Sequence, residues 1–313
     1  MPHVMVREGQ KIVIPRMTEV IATNECEARG FLHPVNTGAR RWRTVSNAVA
    51  LAGTVGHHQI ENYIRQKVGL FKLKLELSDI DQRLHDEILA SDEGSEWFKQ
   101  YIRTAVNNFL EWENDFKPKY IIPEITMIYI HEEDGNIDNR RSLKGTVDLI
   151  CELDPDKMSK KAKHIINIKE TSTVMLDWKT GMAKLDSHHA QLEGYDWMLD
   201  ATGKRKEITE EGYVTKPWAT KNIAGEEVPL ALCVRLGGYT YFADAYELNT
   251  NQFQNARNLF LESEYIAKTR NGKFGDRVYR EGYHCVFCPH REHGCPIFKI
   301  QIVQLEDVKI ENQ

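Results

Sequence analysis

Apolar positions along the first third of the chain recur at helical spacing. Residues 46–66 read as one helix. Residues 79–116 read as one long helix or two, with Ile80, Leu84 and Ile88 followed by Phe98, Ile102, Val106 and Leu110, interrupted near Gly94. The period then changes. Tyr120 to Ile130 is rich in strand formers, with Pro123 near its start. The turn signal Glu133-Asp134-Gly135-Asn136 follows, and Leu143 to Leu153 resumes strand character, so a long hairpin is predicted. Val174 to Trp178 is a third strand, residues 185–200 a helix, and Val228 to Leu248 two strands around Gly237-Gly238. Asn251 to Lys268 is a last helix. Residues 12–25 read as an extended entry segment. Lys204 to Glu227, polar and without a period, reads as an inserted loop. Lys157 to Lys163 reads as a solvated loop carrying four lysines. This order predicts an α/β domain with a mixed sheet and helical flanks.

Composition narrows the class. With 313 residues, 41% hydrophobic and 28% charged, the chain can bury a core without covalent staples. Its longest apolar runs, such as Val228 to Val234, are too short to cross a bilayer. No basic stretch leads into an apolar one near Met1, and the expected compartment is the cytoplasm. The net charge of −5 argues at first against a nucleic-acid partner. That deficit is local, however: Asp79 to Glu96 carries a net −6, which leaves the rest of the chain at +1. Six cysteines are too few for a disulfide scaffold, and clustered ones in a reducing compartment suggest a metal.

The most informative residues lie in Gly145-Thr-Val-Asp148 and, 29 residues after Asp148, in Leu176-Asp177-Trp178-Lys179-Thr180-Gly181. Asp148 is the one acid in an otherwise apolar strand. Asp177 closes the next strand, and alternation puts positions 177 and 179 on one face. Two carboxylates converging from neighbouring strands make an oxygen-rich site for Mg²⁺ or Mn²⁺. A lysine beside them can orient an attacking water and offset charge on a phosphoryl oxygen. A buried Asp–Lys ion pair at a strand end is the other reading of Asp177 and Lys179. On the first helix, His57 and Glu61 share a face one turn apart. An imidazole beside two carboxylates biases a site toward Mn²⁺, whereas a lone helical histidine is more often structural. Gln191 and Tyr195 are likewise one turn apart, placed to hold a phosphate or the lysine, or to serve only as a satisfied helix surface.

Taken in order, GTxxHxxxE, GTVD, LDWKTG and QLxGY resemble the RecB-type nucleases of the PD-(D/E)XK superfamily, over about Thr18 to Pro296. The resemblance implies a restriction-endonuclease-like α/β core with a mixed central β-sheet flanked by helices. It implies one elaborated nuclease domain over 1–313: an N-terminal segment 12–44, a helical part 45–116, a nuclease core 117–268 and a basic, cysteine-rich region 269–299. It assigns the metal to His57, Asp148, Asp177 and the backbone carbonyl of Trp178. It makes Lys179 the family lysine, Gln191 and Tyr195 the Gln–Tyr motif, and Glu124 a further acid on the preceding strand.

Cys285, Cys288 and Cys295 form a C-x2-C-x6-C run. A clustered trio with a distant N-terminal partner resembles the iron–sulfur branch of this family, which includes CRISPR-associated exonucleases and AddB-type nuclease domains. The resemblance makes Cys26 the fourth ligand of a [4Fe–4S] cluster that joins the chain ends. His284, His290 and His293 offer a zinc site as the alternative. Cys151 and Cys233 read as buried thiols. Arg40-Arg41-Trp42-Arg43, and Lys268, Arg270, Lys273, Arg277 and Arg280, suit a single-stranded nucleic acid or, equally, plain solvated patches.

The leading expectation is a metal-dependent DNA nuclease, an exonuclease on single strands or DNA ends. Its setting would be CRISPR adaptation, recombination and repair, or a viral genome, with a CRISPR-adaptation or helicase partner and no membrane. The alternative is a non-catalytic iron–sulfur DNA-binding or adaptor protein. A zinc hydrolase is disfavoured because Asn62 replaces the second histidine of H-x-x-E-H in His58-Gln-Ile-Glu61-Asn62. No GxxxxGK[ST] occurs, so the chain carries no P-loop motor.

Overall fold

The computed structural model describes residues 3–7, 10–24, 26, 48–181, 187–210, 219–221, 227–248 and 251–269. The chain divides into two compact units, 46–127 with 145–251, and 1–45 with 128–144 and 252–313.

In the second of these, β1 (His3–Arg7) and β2 (Gln10–Ile14) pair antiparallel, from His3↔Ile14 to Arg7↔Gln10. The extended segment expected over 12–25 ends there. Met17, Val20 and Ile21 share one apolar helical face, and α1 (Met17–Ile21) buries all three. The backbone N–H of Arg16 donates to Glu19 Oε2 at 2.8 Å and so starts the helix. The Thr23 hydroxyl lies 2.6 Å from the Val20 carbonyl and 3.0 Å from that of Ala256, which ties the turn Ala22–Asn24 to the last helix, Gln252–Thr269. Cys26 is buried.

The larger unit opens with α2 (Ala48–Lys67), α3 (Asp79–Leu89) and α4 (Asp92–Phe116). The break expected near Gly94 is a capped helix start. Ser91 Oγ accepts from the Gly94 N–H at 3.1 Å, as Ser78 Oγ does from Asp81 at 3.2 Å. Lys117, in left-handed conformation at φ 48°, stops α4. β3 (Lys119–Glu133) and β4 (Asn136–Leu153) form the predicted hairpin. Asp134 at φ 51° and Gly135 at φ 77° supply the two left-handed residues of a type I′ turn. The hairpin tip, 128–144, belongs to the smaller unit.

Then follow α5 (Lys160–Ile165), β5 (Ser172–Lys179), α6 (Ser187–Ala201), α7 (Lys204–Glu210), β6 (Ala219–Lys221), β7 (Glu227–Arg235) and β8 (Phe242–Glu247). Two expected loops are therefore corrected. Lys157–Lys163 runs into a helix, because Ser159 caps it and Ala162 is buried in the core, with Ile165 packed against it. The stretch 204–227 holds α7 and the short strand β6, which pairs with the start of β7.

The sheet runs β3-β4-β5-β7-β6, with β8 also paired to β7. β5 and β7 are parallel, and the pairs β4/β5, β6/β7 and β7/β8 are antiparallel. This is the expected mixed sheet flanked by helices. β5 is buried along all but its last residue, as a central strand covered on both faces must be. Under it lies an aromatic core from α4. Trp178 meets Trp112 edge-on at 4.9 Å and Phe109 at 5.3 Å between ring centroids. Among the described residues no helix is long and apolar enough to cross a membrane.

Candidate active site

Alternation along β5 sends Trp178 into the aromatic core and leaves Asp177 and Lys179 on the opposite face. The β4/β5 register pairs Leu149 with Leu176, so Asp148 arrives beside the end of β5. There its Oδ2 accepts the Trp178 backbone N–H at 2.6 Å. The 28 residues between the two acids hold the end of β4, the connection with α5 and the start of β5, and the acids end as neighbours.

α2 brings the imidazole. His57 Nδ1 stands 3.9 Å from Asp148 Oδ2. The approach depends on Gly53, where a Cβ would come within 2.7 Å of Thr180 Oγ1. The glycine of the first motif and the threonine of LDWKTG are thus two sides of one contact. The Tyr101 hydroxyl donates to the Thr180 carbonyl at 3.0 Å and fixes the same strand end.

Glu124 comes from β3, with its backbone in the left-handed region at φ 53°. One ligand atom each from His57, Glu124 and Asp148 lies within 4.8 Å of the others, all three residues part-buried. This trio is a candidate metal site. Asp177 stands next to it, paired on its own side: its Oδ2 is 2.5 Å from Lys179 Nζ, and its Oδ1 accepts from Gln191 Nε2 at 3.0 Å. Of the four groups expected to hold a metal, His57 and Asp148 converge with Glu124, and Asp177 is paired with Lys179. Trp178 meets Asp148 through its N–H.

Gln191 is a hub. Its Oε1 accepts from Lys179 Nζ at 3.1 Å, and its Nε2 also donates to the Tyr195 hydroxyl at 2.6 Å. Both side chains are buried, so the reading of this pair as a helix surface is corrected. Gly145 makes room for Tyr195, since a Cβ there would meet Tyr195 Cε1 at 2.9 Å.

Burial and mutual charge set the protonation of the site. Burial, then the Lys179 charge, lowers the His57 imidazole to about 4, against the pull of Asp177, so it is neutral near pH 7. Burial, then Glu61 and Asp177, raises the Glu124 carboxyl to about 8, with Arg65 opposing. Burial, Asp177 and Glu124 likewise raise Asp148 well above the carboxylate range. Burial works against the Lys179 charge, but Asp177 and Asp148 outweigh it and hold the ammonium above its ordinary value.

Several chemically important residues carry no motif signal. Asn108, buried, donates from Nδ2 to the carbonyls of Leu236 (2.8 Å) and Gly238 (2.7 Å). His188 Nδ1 lies 3.3 Å from Cys233 Sγ, and Cys233 pairs with Asp177 in the β5/β7 register. Cys151 and Cys233 are both fully buried, as expected. Glu61 is ion-paired with Arg65 at 3.5 Å. Asn62, 3.0 Å from His58 Nε2, donates to the Leu73 carbonyl at 3.0 Å. Lys161 pairs with Glu111 at 2.8 Å. Cys285, Cys288, Cys295, Arg40, Arg41, Trp42 and Arg43 lie outside the described residues, as do Arg270, Lys273, Arg277 and Arg280.

A family model described as the PD-(D/E)XK nuclease superfamily matches residues 18–295. No curated protein matches the chain. Among solved structures, the crystal structure of SSO0001 is similar, at 11% identity and a TM-score of 0.33, covering 90% of this chain and 96% of that one. At that score the two share too little geometry for either to be read from the other.

Proposed function

The chain belongs to the PD-(D/E)XK nuclease superfamily, and from that premise we propose that it is a metal-dependent DNA nuclease, an exonuclease on single strands or DNA ends. The observation that carries the reading is the convergence of His57, Glu124 and Asp148 beside the Lys179–Asp177 pair.

The donor set fits a hard divalent cation. It offers carboxylate oxygens and a neutral imidazole, and no thiolate. Burial and neighbouring negative charge disfavour ionisation of both carboxyls, and a cation would offset that penalty. We assign Mg²⁺ or Mn²⁺ to His57, Asp148 and Glu124, with Asp177 and the Trp178 carbonyl completing the set. Such an ion supplies Lewis acidity toward a phosphodiester oxygen and a more acidic water. Lys179, held as an ammonium, is a donor and not a base. Its role is to orient the attacking oxygen or offset charge on the phosphoryl group. Gln191 and Tyr195 hold Lys179 and Asp177 in register for that task.

The test is cleavage of end-labelled single- and double-stranded DNA in Mg²⁺ or Mn²⁺, with a chelator control. Lys179→Ala and Asp148→Asn should each lower the rate by about 10²–10³ while circular dichroism and DNA binding persist. A Lys179→Ala protein that cuts at the wild-type rate overturns the assignment. Wild-type protein that binds DNA but never cuts it supports the adaptor alternative.

The proposal extends to Cys26, Cys285, Cys288 and Cys295 as ligands of a [4Fe–4S] cluster, and to a setting in CRISPR adaptation, recombination and repair, or a viral genome, with an adaptation or helicase partner. Its support is the C-x2-C-x6-C spacing with an N-terminal fourth cysteine. Anaerobically purified protein should be brown, with about four irons per chain. Colourless protein containing zinc removes the cluster.

A further inference from the structure

The segment that follows β7, Leu236-Gly237-Gly238-Tyr239, is fastened to the site from two sides. The Leu236 N–H donates to the Lys179 carbonyl at 2.7 Å. Gly237 lies flat against the next residue, where a Cβ would stand 2.2 Å from the Thr180 carbonyl oxygen, so no larger residue allows the approach. From the other side the buried Asn108 amide bonds the Leu236 and Gly238 carbonyls.

At the end of this rigid segment the chain exposes an aromatic ring completely. Tyr239 has a relative exposure of 106%, while Tyr241, two residues on, is at 1%. Three residues span at most roughly 11 Å, so Tyr239 lies within that reach of Leu236, the residue bonded to the lysine's backbone. Exposed aromatic rings on fixed backbone are receptors for unpaired bases. They present contact area with little entropy left to lose, and stacking accepts any base. Bases inside a duplex have no free face to offer.

We propose that Tyr239 stacks on an unpaired base of the substrate strand, and so sets a preference for single strands or frayed ends. The inference rests on the nuclease reading of the neighbouring site.

The test uses the full-length protein. Affinity is read by fluorescence anisotropy of a labelled dT oligonucleotide and of a blunt-ended duplex, and cleavage by steady-state kinetics. Tyr239→Ala should weaken single-strand binding about ten-fold or more, with the loss in cleavage falling on KM rather than kcat, and duplex affinity little changed. Tyr239→Phe and Tyr239→Trp should bind like wild type, and the new indole emission in Tyr239→Trp should be quenched by the oligonucleotide. Wild-type single-strand affinity in Tyr239→Ala overturns the inference and leaves the nuclease intact. So does a Tyr239→Phe protein as weak as Tyr239→Ala, which would assign the effect to the hydroxyl. If wild type binds the oligonucleotide but never cleaves, the nuclease reading fails and the binding arm still decides the stacking. Absence of any DNA binding overturns both.

Discussion

At the scale of single residues, Glu124 combines two costs. Its left-handed backbone, at φ 53°, is unfavourable for a residue with a Cβ, by about 1–3 kcal/mol. Its carboxyl is raised to about 8 by burial first, then by Glu61 and Asp177. At pH 7 the metal-free protein therefore holds it protonated, and glutamine resembles that form in shape. Glu124→Gln should melt within about 0.5 kcal/mol of wild type without metal, yet bind Mn²⁺ distinctly more weakly in calorimetric titration. Wild-type Mn²⁺ affinity would remove Glu124 from the metal site. Asp148 stands out in the sequence as the one acid in an apolar strand, whereas Asp177 and Lys179 read equally as an ordinary ion pair and take their place in the site from the resemblance. The orientation of Asp177 was not legible, since spacing gives the face of a strand and not the partner of a carboxylate. The reason for Gly145 was also hidden, because only the folded chain brings Tyr195 against it.

At the scale of elements, long periodic stretches were read correctly: the helix at 48–67, the hairpin of β3 and β4, and the strands on either side of Gly237-Gly238. Not legible are β1, α1, α5, α7 and β6, each at most seven residues long. A helix of two turns has too few apolar positions to display a period, and packing rather than propensity decides it. The double glycine between β7 and β8 reads from sequence as a turn signal. In the structure its first member is a steric requirement of the site, since both the Thr180 carbonyl carbon and its oxygen crowd the missing Cβ. Gly237→Ala should cost about 1–3 kcal/mol and reduce kcat beyond what the lost stability explains, by pushing the strand end that carries Lys179. Gly181→Ala is the control, because nothing among the described residues lies within 4 Å of its would-be Cβ. Thermal melts and cleavage rates compare the two. Equal behaviour would dissociate the Gly237 contact from the lysine.

At the scale of the whole molecule, the net charge of −5 is a misleading average. Asp79 and Asp81 lie in the first turn of α3, and Asp92 and Glu93 in the first turn of α4, where negative charge meets the positive ends of the helix dipoles. Four acids of this block are helix-start chemistry, and the acids of the candidate metal site lie elsewhere. Their titration makes stability depend on pH in a definite direction. The Glu124 carboxyl moves from an ordinary 4.5 up to about 8 on folding, so its contribution is complete below about 4.5 and is lost as pH rises through 8. His57 and His188 move the opposite way, from 6.5 down to about 4, each by burial first and the Lys179 charge second. Their contribution is complete above 6.5 and is lost as pH falls toward 4. Between pH 6.5 and 8 these two histidines stay neutral in both states, and the Glu124 carboxyl is the group that titrates. The metal-free protein should therefore melt at a falling temperature across that window. Mg²⁺ or Mn²⁺ should raise the melting temperature more at pH 8 than at pH 6, because protons and cation compete for the same carboxyls. Glu124→Gln should flatten the metal-free slope. Differential scanning calorimetry at the two pH values, with chelator and with Mn²⁺, reads all three. A metal-induced shift larger at pH 6 would mean that the cation binds away from the acids of the sheet.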